Sequence, residues 1–312
     1  MNEMDTRFAN QYNIQWFPGH MTKTLRMMEQ EIQHVDASLV LLDARIPLSS
    51  LNPEIERITA RKPKLYALNK ADLADPAVTE EWIRYFRAAD AGCVAISAKQ
   101  KGGAKAVQTA IEKELASLLE RRQNRGMGGA KTQVMLCGIP NVGKSTFINK
   151  VAKKKSAKAG DRPGVTRSNQ WVRITPYLEL LDTPGLLWPN LSNQQDARAL
   201  AFVGTINDNI MDQQMLAIRL MERLMEDHAD ALTTRFKLKN NALRGVPLLE
   251  EACRCRGWLL PGGVCDTDRG AAVILDEFRA GKLGRITLQK APVKAPKETT
   301  PEREAKKEEQ SS

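Results

Sequence analysis

The sequence has little of what marks a secreted or membrane protein. Its five cysteines are an odd number with no paired spacing, which excludes a disulfide framework and favours reduced thiols. No run of about 18 apolar residues could span a membrane. The N-terminus lacks the basic-then-apolar pattern of a signal peptide. We therefore expect a cytoplasmic protein with no membrane partner.

Acidic residues are too few to balance the basic ones, and the formal net charge is +10. Such a positive field favours a polyanion such as RNA, although a solvated surface that only aids solubility is the alternative. We favour RNA, and expect no DNA partner. The basic cluster, which Asp161 alone opposes, comprises Lys150, Lys153, Lys154, Lys155, Lys158, Arg162 and Arg167.

Apolar runs of strand length alternate with helical patterns through the first two thirds of the chain. This alternation predicts a mostly parallel α/β sheet with helices on both faces. Beyond it only helical periods occur, followed by a Pro- and charge-rich segment with little to bury. We predict an α/β domain over 1–204, a small all-helical domain over 205–285 and a disordered tail over 286–312.

A Gly-rich loop between a predicted strand and helix carries the first chemical signal. The sequence GIPNVGKS, residues 138–145, fits the phosphate-binding pattern G-x-x-x-x-G-K-S. Its backbone amides and the helix N-terminus provide positive potential for a nucleoside triphosphate. Lys144 is expected to reach the β- and γ-phosphates and Ser145 to bind Mg²⁺. The candidate phosphate-binding residues are Asn141, Val142, Gly143, Lys144, Ser145 and Thr146.

Two downstream segments complete a predicted γ-phosphate site. The sequence DTPG, residues 182–185, ends an apolar strand; Asp182 is a candidate Mg²⁺ ligand through a water, and the Gly185 amide can face the γ-phosphate. Between the motifs, Thr166 is a candidate for both Mg²⁺ and the γ-phosphate when GTP is bound. A turn threonine after Pro163 is its alternative.

A second set of strand ends predicts recognition of guanine. In NKAD, residues 69–72, Asp72 can accept hydrogen bonds from N1–H and the exocyclic amine of guanine, donors that adenine lacks there. Asn69 would bond the other base edge and neighbouring loops, and Lys70 would lie along the base plane. In the sequence SAK (Ser97, Ala98 and Lys99), which ends the next strand, the Ala98 amide can donate to the guanine oxygen.

The base-reading motifs precede the phosphate-reading ones, the reverse of the usual GTPase order. Joining a fold's ends and cutting it elsewhere is tolerated when the ends lie close together. The Gly-rich segment 124–131 would be the join. We therefore predict a circularly permuted P-loop GTPase fold in which Asp72 and Lys144 bind one GTP.

The motif order, DARIP at 43–47, WFPGHM at 16–21 and the helical C-terminal region resemble circularly permuted GTPases of the YlqF/RbgA family, the ribosome biogenesis GTPase A group. The resemblance covers the chain except its tail. It implies a large-subunit assembly factor whose GTPase activity the ribosomal particle stimulates. The expected partners are the large-subunit precursor and ribosomal RNA, with a monomer off the ribosome.

Catalysis needs a residue to orient water, because Leu186 stands where many GTPases carry Gln after D-x-x-G. The resemblance points to His20 of the P-G-H segment; a surface or capped histidine is its alternative. The candidate catalytic residues are thus His20, Lys144 and Thr166. Asn141 could also help bind K⁺ beside the phosphates, or could simply hydrogen-bond its own loop.

We expect GTP to order the loops at 155–168 and 185–195 and so to create the RNA-binding surface. The main alternative is an RNA-binding, ribosome-associated scaffold whose nucleotide site is structural. Intact Lys144, Ser145 and Asp182 weigh against it. A GTPase acting on transfer RNA or membranes lacks a supporting motif, and an ATPase would leave Asp72 without donors.

Overall fold

The computed structural model describes residues 19–97, 103–116, 120, 131–152, 170–188, 193–206 and 212–292. The strands in these ranges are β1 (Ala37–Asp43), β2 (Lys64–Asn69), β3 (Gly92–Ala95), β4 (Thr132–Gly138), β5 (Gln170–Thr175) and β6 (Leu178–Asp182). The helices are α1 (Gly19–Glu31), α2 (Pro53–Thr59), α3 (Pro76–Arg87), α4 (Gly103–Glu114), α5 (Lys144–Val151), α6 (Gln194–Phe202), α7 (Gln213–Asp227), α8 (Ala229–Phe236), α9 (Val246–Arg256) and α10 (Thr267–Arg279).

The six strands form one sheet in the order β3-β2-β1-β4-β6-β5. All neighbouring pairs are parallel except β5 and β6, which form an antiparallel hairpin at one edge. Every residue of β1 is buried, as expected of a central strand covered on both faces. The edge strand β5 instead alternates, with Val172 and Ile174 buried and Trp171 exposed. The predicted α/β architecture is confirmed.

Two helices start directly after loops at the carboxyl edge of the sheet. Asn52 caps α2 by accepting a hydrogen bond from the Glu54 amide, and Asp75 caps α3 by accepting from the Ala77 and Val78 amides. A proline stands at the start of each helix, where it needs no hydrogen-bonded amide. These caps fix the two loops that follow β1 and β2.

The helices beyond residue 212 pack chiefly through α7. Its apolar face includes Met221 and Met225, which are buried as core residues. α9 and α10 confirm the helices expected there. α8 was not predicted, because Leu232 and Phe236 are the only large apolar side chains of this short helix. The division at residue 204 stays a prediction.

Residues 286–289 differ from the predicted tail. Ile286, Thr287 and Leu288 are buried, and the amides of Ile286 and Leu288 donate to the carbonyls of Leu73 and Arg45. These contacts return the chain to the first half of the molecule, so the tail boundary at 286 is too early. Residues 293–312 lie outside the described ranges.

Across the described ranges, no helix combines the length and apolar character that a membrane crossing requires.

Candidate nucleotide-binding site

The strand register brings the predicted motifs to one edge of the sheet. Asn69 at the end of β2 pairs with Asp43 of β1, and Gly138 at the end of β4 pairs with Leu41 of the same strand. Asp182 at the end of β6 pairs with Leu136 of β4. Ligands of open parallel sheets bind outside the carboxyl ends of the strands, where these three residues lie together.

Hydrogen bonds join the base-reading loop directly to the phosphate loop. The Asn69 side-chain amide donates to the carbonyl oxygen of Val142 over 2.7 Å. The Lys70 ammonium donates to the carbonyl oxygen of Asn141 over 2.9 Å. Two segments about 70 positions apart in the chain, 71 and 73 residues for these two pairs, therefore form one continuous wall.

Glycine is required where the two loops touch. Gly143 has a φ of +101°, and a Cβ there would collide with the Asn69 side-chain amide. Gly143 also precedes α5, whose N-terminal amides face the loop. The close approach of the Asn69 amide and the free helix terminus thus depend on the same missing side chain.

Lys144 is buried at the start of α5. Its ammonium donates to the carbonyl oxygens of Gly138 and Ile139 over 2.8 and 3.0 Å, so it folds back on its own loop. Burial lowers the pKa of Lys144 to about 8, although the nearby Asp182 carboxylate opposes that shift. The ammonium lies in a site that penalises its charge, and phosphate oxygens would relieve that penalty.

Asp182 carries the complementary penalty. It is 1% exposed, and its Oδ1 has no hydrogen-bond partner within the part of the chain that the structure describes. Burial raises the pKa of Asp182 to about 6, although Lys144 opposes the shift. A buried carboxylate oxygen without a partner beside Ser145 and a phosphate loop fits a hydrated Mg²⁺, a hard cation that prefers oxygen ligands.

The segment after β6 contacts the phosphate loop closely. A Cβ at Gly185 would lie 2.7 Å from the Cα of Pro140. The Leu186 amide donates to the Gly138 carbonyl over 3.3 Å, and the Asn52 side chain donates to the Leu186 carbonyl over 2.7 Å. The chain following DTPG is thus bonded to both halves of the site.

Asn141 contacts the region beyond residue 200. Its side-chain amide nitrogen donates to the Gly204 carbonyl over 2.7 Å, and its φ is +58°. This bond serves a role that the sequence did not suggest, because it ties the phosphate loop to the chain just after α6. It also occupies one end of the side chain considered for K⁺.

Several predicted site residues have positions that the structure gives only in part. Asp72 and Thr146 are half-buried, and Ser97 is buried with no partner for its Oγ among the described residues. The backbone of His20 lies in the first turn of α1, but its side chain is not described. Ala98, Lys99, Thr166, the join at 124–131 and all of the basic cluster except Lys150 lie outside the described residues.

Sequence reasoning assigned no role to two buried residues at the end of β1. Asp43 accepts hydrogen bonds from Arg45 and forms an ion pair with Lys70 at 2.9 Å. The signal was present, because DARIP places opposite charges directly after a wholly apolar strand. Charged residues in such a place are rarely buried unless they are paired.

Comparison with known proteins agrees with this geometry. Residues 133–237 match a protein family described as 50S ribosome-binding GTPase. Ribosome biogenesis GTPase A from Bacillus cereus is 40% identical over 276 residues, which cover 88% of this chain and 93% of the relative. The chain belongs to the ribosome biogenesis GTPase A family. The protein of that name from Priestia megaterium is also 40% identical, over 88% of this chain and 96% of its own length.

Solved structures of the family share the fold. A GDP-bound YlqF structure superposes with a TM-score of 0.62 at 24% identity, covering 85% of this chain and 99% of the other. The ribosome biogenesis GTPase A fold is a circularly permuted P-loop GTPase, as predicted. The match to the 50S ribosome-binding GTPase model begins in β4, just before the phosphate loop, and leaves out the base-reading half of the chain.

Proposed function

We propose that this chain binds GTP across its two loops and hydrolyses it as a switch in assembly of the large ribosomal subunit. One observation carries the proposal: Asn69 and Lys70 bond to Val142 and Asn141 over 2.7 and 2.9 Å. A single nucleotide can therefore contact both loops. The names of the relatives supply the setting in ribosome biogenesis.

In this proposal Asp72 selects guanine. Its carboxylate accepts from N1–H and the exocyclic amine, and Ala98 donates to the guanine oxygen. Asn69, Lys70, Ser97 and Lys99 complete the base pocket. A polar group left unpaired by the wrong base makes this kind of selection strong, on the order of 10⁴-fold or more.

The phosphates bind at the start of α5. Lys144 would leave the Gly138 and Ile139 carbonyls and pair with the β- and γ-phosphates, while amides from Asn141 to Thr146 hold the phosphate oxygens. Ser145, Asp182 and Thr166 would hold Mg²⁺, which neutralises charge on the phosphate oxygens when bound. The Gly185 amide would face the γ-phosphate.

Hydrolysis also requires a positioned water. Leu186 cannot hydrogen-bond water through its side chain, and it is completely buried. We assign this task to His20, which would orient or polarise the water without full proton abstraction. K⁺ beside Asn141 would offset developing charge in the same reaction.

The switch would operate through the loops at 155–168 and 185–195. The Leu186 amide contacts Gly138, and α6 begins shortly afterwards at Gln194. A γ-phosphate that orders these loops would reposition the chain leading into the C-terminal helices. The basic cluster between Lys150 and Arg167 would then meet ribosomal RNA, with the protein acting as a monomer in the cytoplasm.

Sedimentation through sucrose gradients tests this function. The protein is mixed with precursors of the large ribosomal subunit in the presence of GDP, GTP or a non-hydrolysable GTP analogue. We expect co-sedimentation to be strongest with the analogue and hydrolysis to be faster with particles present. Equal co-sedimentation with GDP and with the analogue would contradict the switch.

A scaffold with a structural nucleotide site is not favoured. A structural site has no need for a buried ammonium and a buried carboxylate whose charges the protein itself penalises. Single-turnover hydrolysis with and without ribosomal subunits separates the two functions. A scaffold would show no acceleration.

A further inference from the structure

Asp43 and Arg45 form a buried ion pair at the end of β1. Their side chains are 1% and 2% exposed, and Arg45 donates to both carboxylate oxygens over 2.9 and 2.8 Å. Removing two charges from water is costly, and a buried pair is weak support for stability by itself. A role beyond stability therefore has to be sought in what the pair contacts.

The Asp43 carboxylate also holds Lys70. The Lys70 ammonium lies 2.9 Å from Asp43 Oδ2 and 2.9 Å from the carbonyl oxygen of Asn141. Lys70 has a φ of +61°, a conformation that non-glycine residues adopt only when their surroundings hold them there. Asp43 is thus the acid that keeps Lys70 between the base-reading and phosphate-reading loops.

Arg45 extends the same cluster to the last helix. One terminal nitrogen makes a long hydrogen bond, 3.4 Å, to the Arg279 carbonyl at the end of α10, and the guanidinium lies 5.7 Å from the Phe278 ring centre. The Arg45 carbonyl accepts from the Leu288 amide over 2.8 Å. The loop after β1 is therefore bonded to α10 and to the segment that follows it.

Arg279 closes the circuit back to the phosphate loop. Its guanidinium donates to the carbonyls of Ala201 and Phe202 at the end of α6 over 2.9 and 3.0 Å. Gly204, two residues farther on, accepts from the Asn141 side chain. A closed ring of hydrogen bonds thus runs from Asn141 through Lys70, Asp43, Arg45 and Arg279 and returns to Asn141.

We propose that Asp43 and Arg45 are positioning residues for guanine nucleotide: Asp43 fixes Lys70 between the two nucleotide loops, and Arg45 links that fixed state to α10 and residues 286–289. The inference rests on the proposed function, since it assumes that these loops bind the nucleotide. It adds a path by which bound nucleotide and the C-terminal helices stabilise each other.

The charge of Asp43 is constant under physiological conditions. Burial by itself would raise the pKa of Asp43, but Arg45 and Lys70 outweigh burial and hold that pKa well below its usual range. The carboxylate therefore stays ionised in both nucleotide states, and its effect comes from position alone.

Dissociation of a fluorescent GDP tests the link between Asp43 and Lys70. We expect Asp43→Asn to accelerate release on the order of tenfold to a hundredfold, because Lys70 loses its carboxylate. Lys70→Met should also accelerate release, and adding Asp43→Asn to Lys70→Met should have little further effect. If the two effects multiplied in the double variant, or if Asp43→Asn released GDP at the wild-type rate, the proposal would be overturned.

Glu277→Gln is the matched control, since Glu277 is another buried carboxylate held by a two-pronged arginine, Arg235. It should lower the free energy of unfolding without changing GDP release. All release rates are measured below the unfolding transition of each variant. If wild-type protein fails to bind GDP, the proposed function fails; if only the Asp43 effect is missing, this inference fails alone.

Hydrogen exchange tests the link to the C-terminal helices and does not depend on Asp43→Asn folding. GDP should slow exchange of the Ile286 and Leu288 amides, which donate to Leu73 and Arg45. Arg45→Lys keeps the charge but loses the two-pronged geometry, so it should reduce that protection. Exchange at both amides that ignores GDP in the wild type would overturn the coupling.

Discussion

The two sides of the nucleotide site differ in how far the protein satisfies its own polar groups. On the base side, Asn69 and Lys70 donate to carbonyls of the phosphate loop, and Lys70 also has the Asp43 carboxylate. On the phosphate side, Lys144 bonds only to carbonyls of its own loop in the described residues. There, Asp182 has an oxygen with no hydrogen-bond partner among the described residues.

This difference separates recognition from switching. A base pocket held by protein contacts needs little rearrangement when the base enters, which favours affinity and selectivity. The phosphate side must exchange its internal contacts for those of a ligand, so its structure depends on which nucleotide is bound. Loss of the γ-phosphate would then be sensed where Lys144 and Asp182 lie.

Asp72→Asn tests the base side and should have the largest effect. An amide cannot accept both guanine donors, whereas its NH₂ group can donate to the second carbonyl of xanthine. We expect affinity for GTP to fall by about 10³-fold or more and affinity for xanthosine triphosphate to rise. Competition binding with GTP, ATP and xanthosine triphosphate measures both changes.

Asp75→Asn is the control for that substitution. Asp75 lies three residues farther along the same loop and caps α3, and asparagine caps helices equally well. Base choice should be unchanged in this variant. An Asp72→Asn protein that still preferred GTP would mean that the base is read elsewhere, and the comparison would lose its first half.

Lys144→Met tests the phosphate side. It should reduce kcat/KM for GTP roughly 10²- to 10³-fold, because it removes the cation expected to stabilise charge on the phosphates. The nucleotide-free protein should be no less stable to urea, since burial penalises this ammonium. Lys150→Ala, an exposed residue in the last turn of α5, is the control for intrinsic hydrolysis. A marked loss of ligand-free stability in Lys144→Met would contradict the comparison.

Local patterns predicted the sheet and the motifs well, because each depends on neighbouring residues. The apolar run of β1, the Gly-Lys-Ser sequence before α5 and the strand ends at Asn69 and Asp182 were all readable. The cluster of Asp43, Arg45 and Arg279 was not, because Arg45 and Arg279 are 234 residues apart and meet only through the fold. The burial of Leu288 was missed for the same reason.

His20→Ala should have a smaller effect, because orienting a water contributes less than holding the phosphates. We expect kcat stimulated by ribosomal particles to fall about 10- to 100-fold with little change in GTP affinity. His34→Ala, an exposed histidine just after α1, should leave kcat unchanged. A normal stimulated kcat in His20→Ala would leave both loops as described and remove His20 from the reaction.

The smallest expected effect concerns Asn141, which belongs to both sides of the comparison. Its backbone carbonyl accepts from Lys70, and its side-chain nitrogen donates to Gly204, so the side-chain oxygen is the atom that would face K⁺. Hydrolysis should be faster in KCl than in NaCl by roughly tenfold or less, because a bound cation offsets part of the developing charge. Asn141→Ala should hydrolyse GTP at equal rates in the two salts. Equal rates in the wild type would restrict Asn141 to its bond with Gly204, and the residue would then serve the connection to α6 alone.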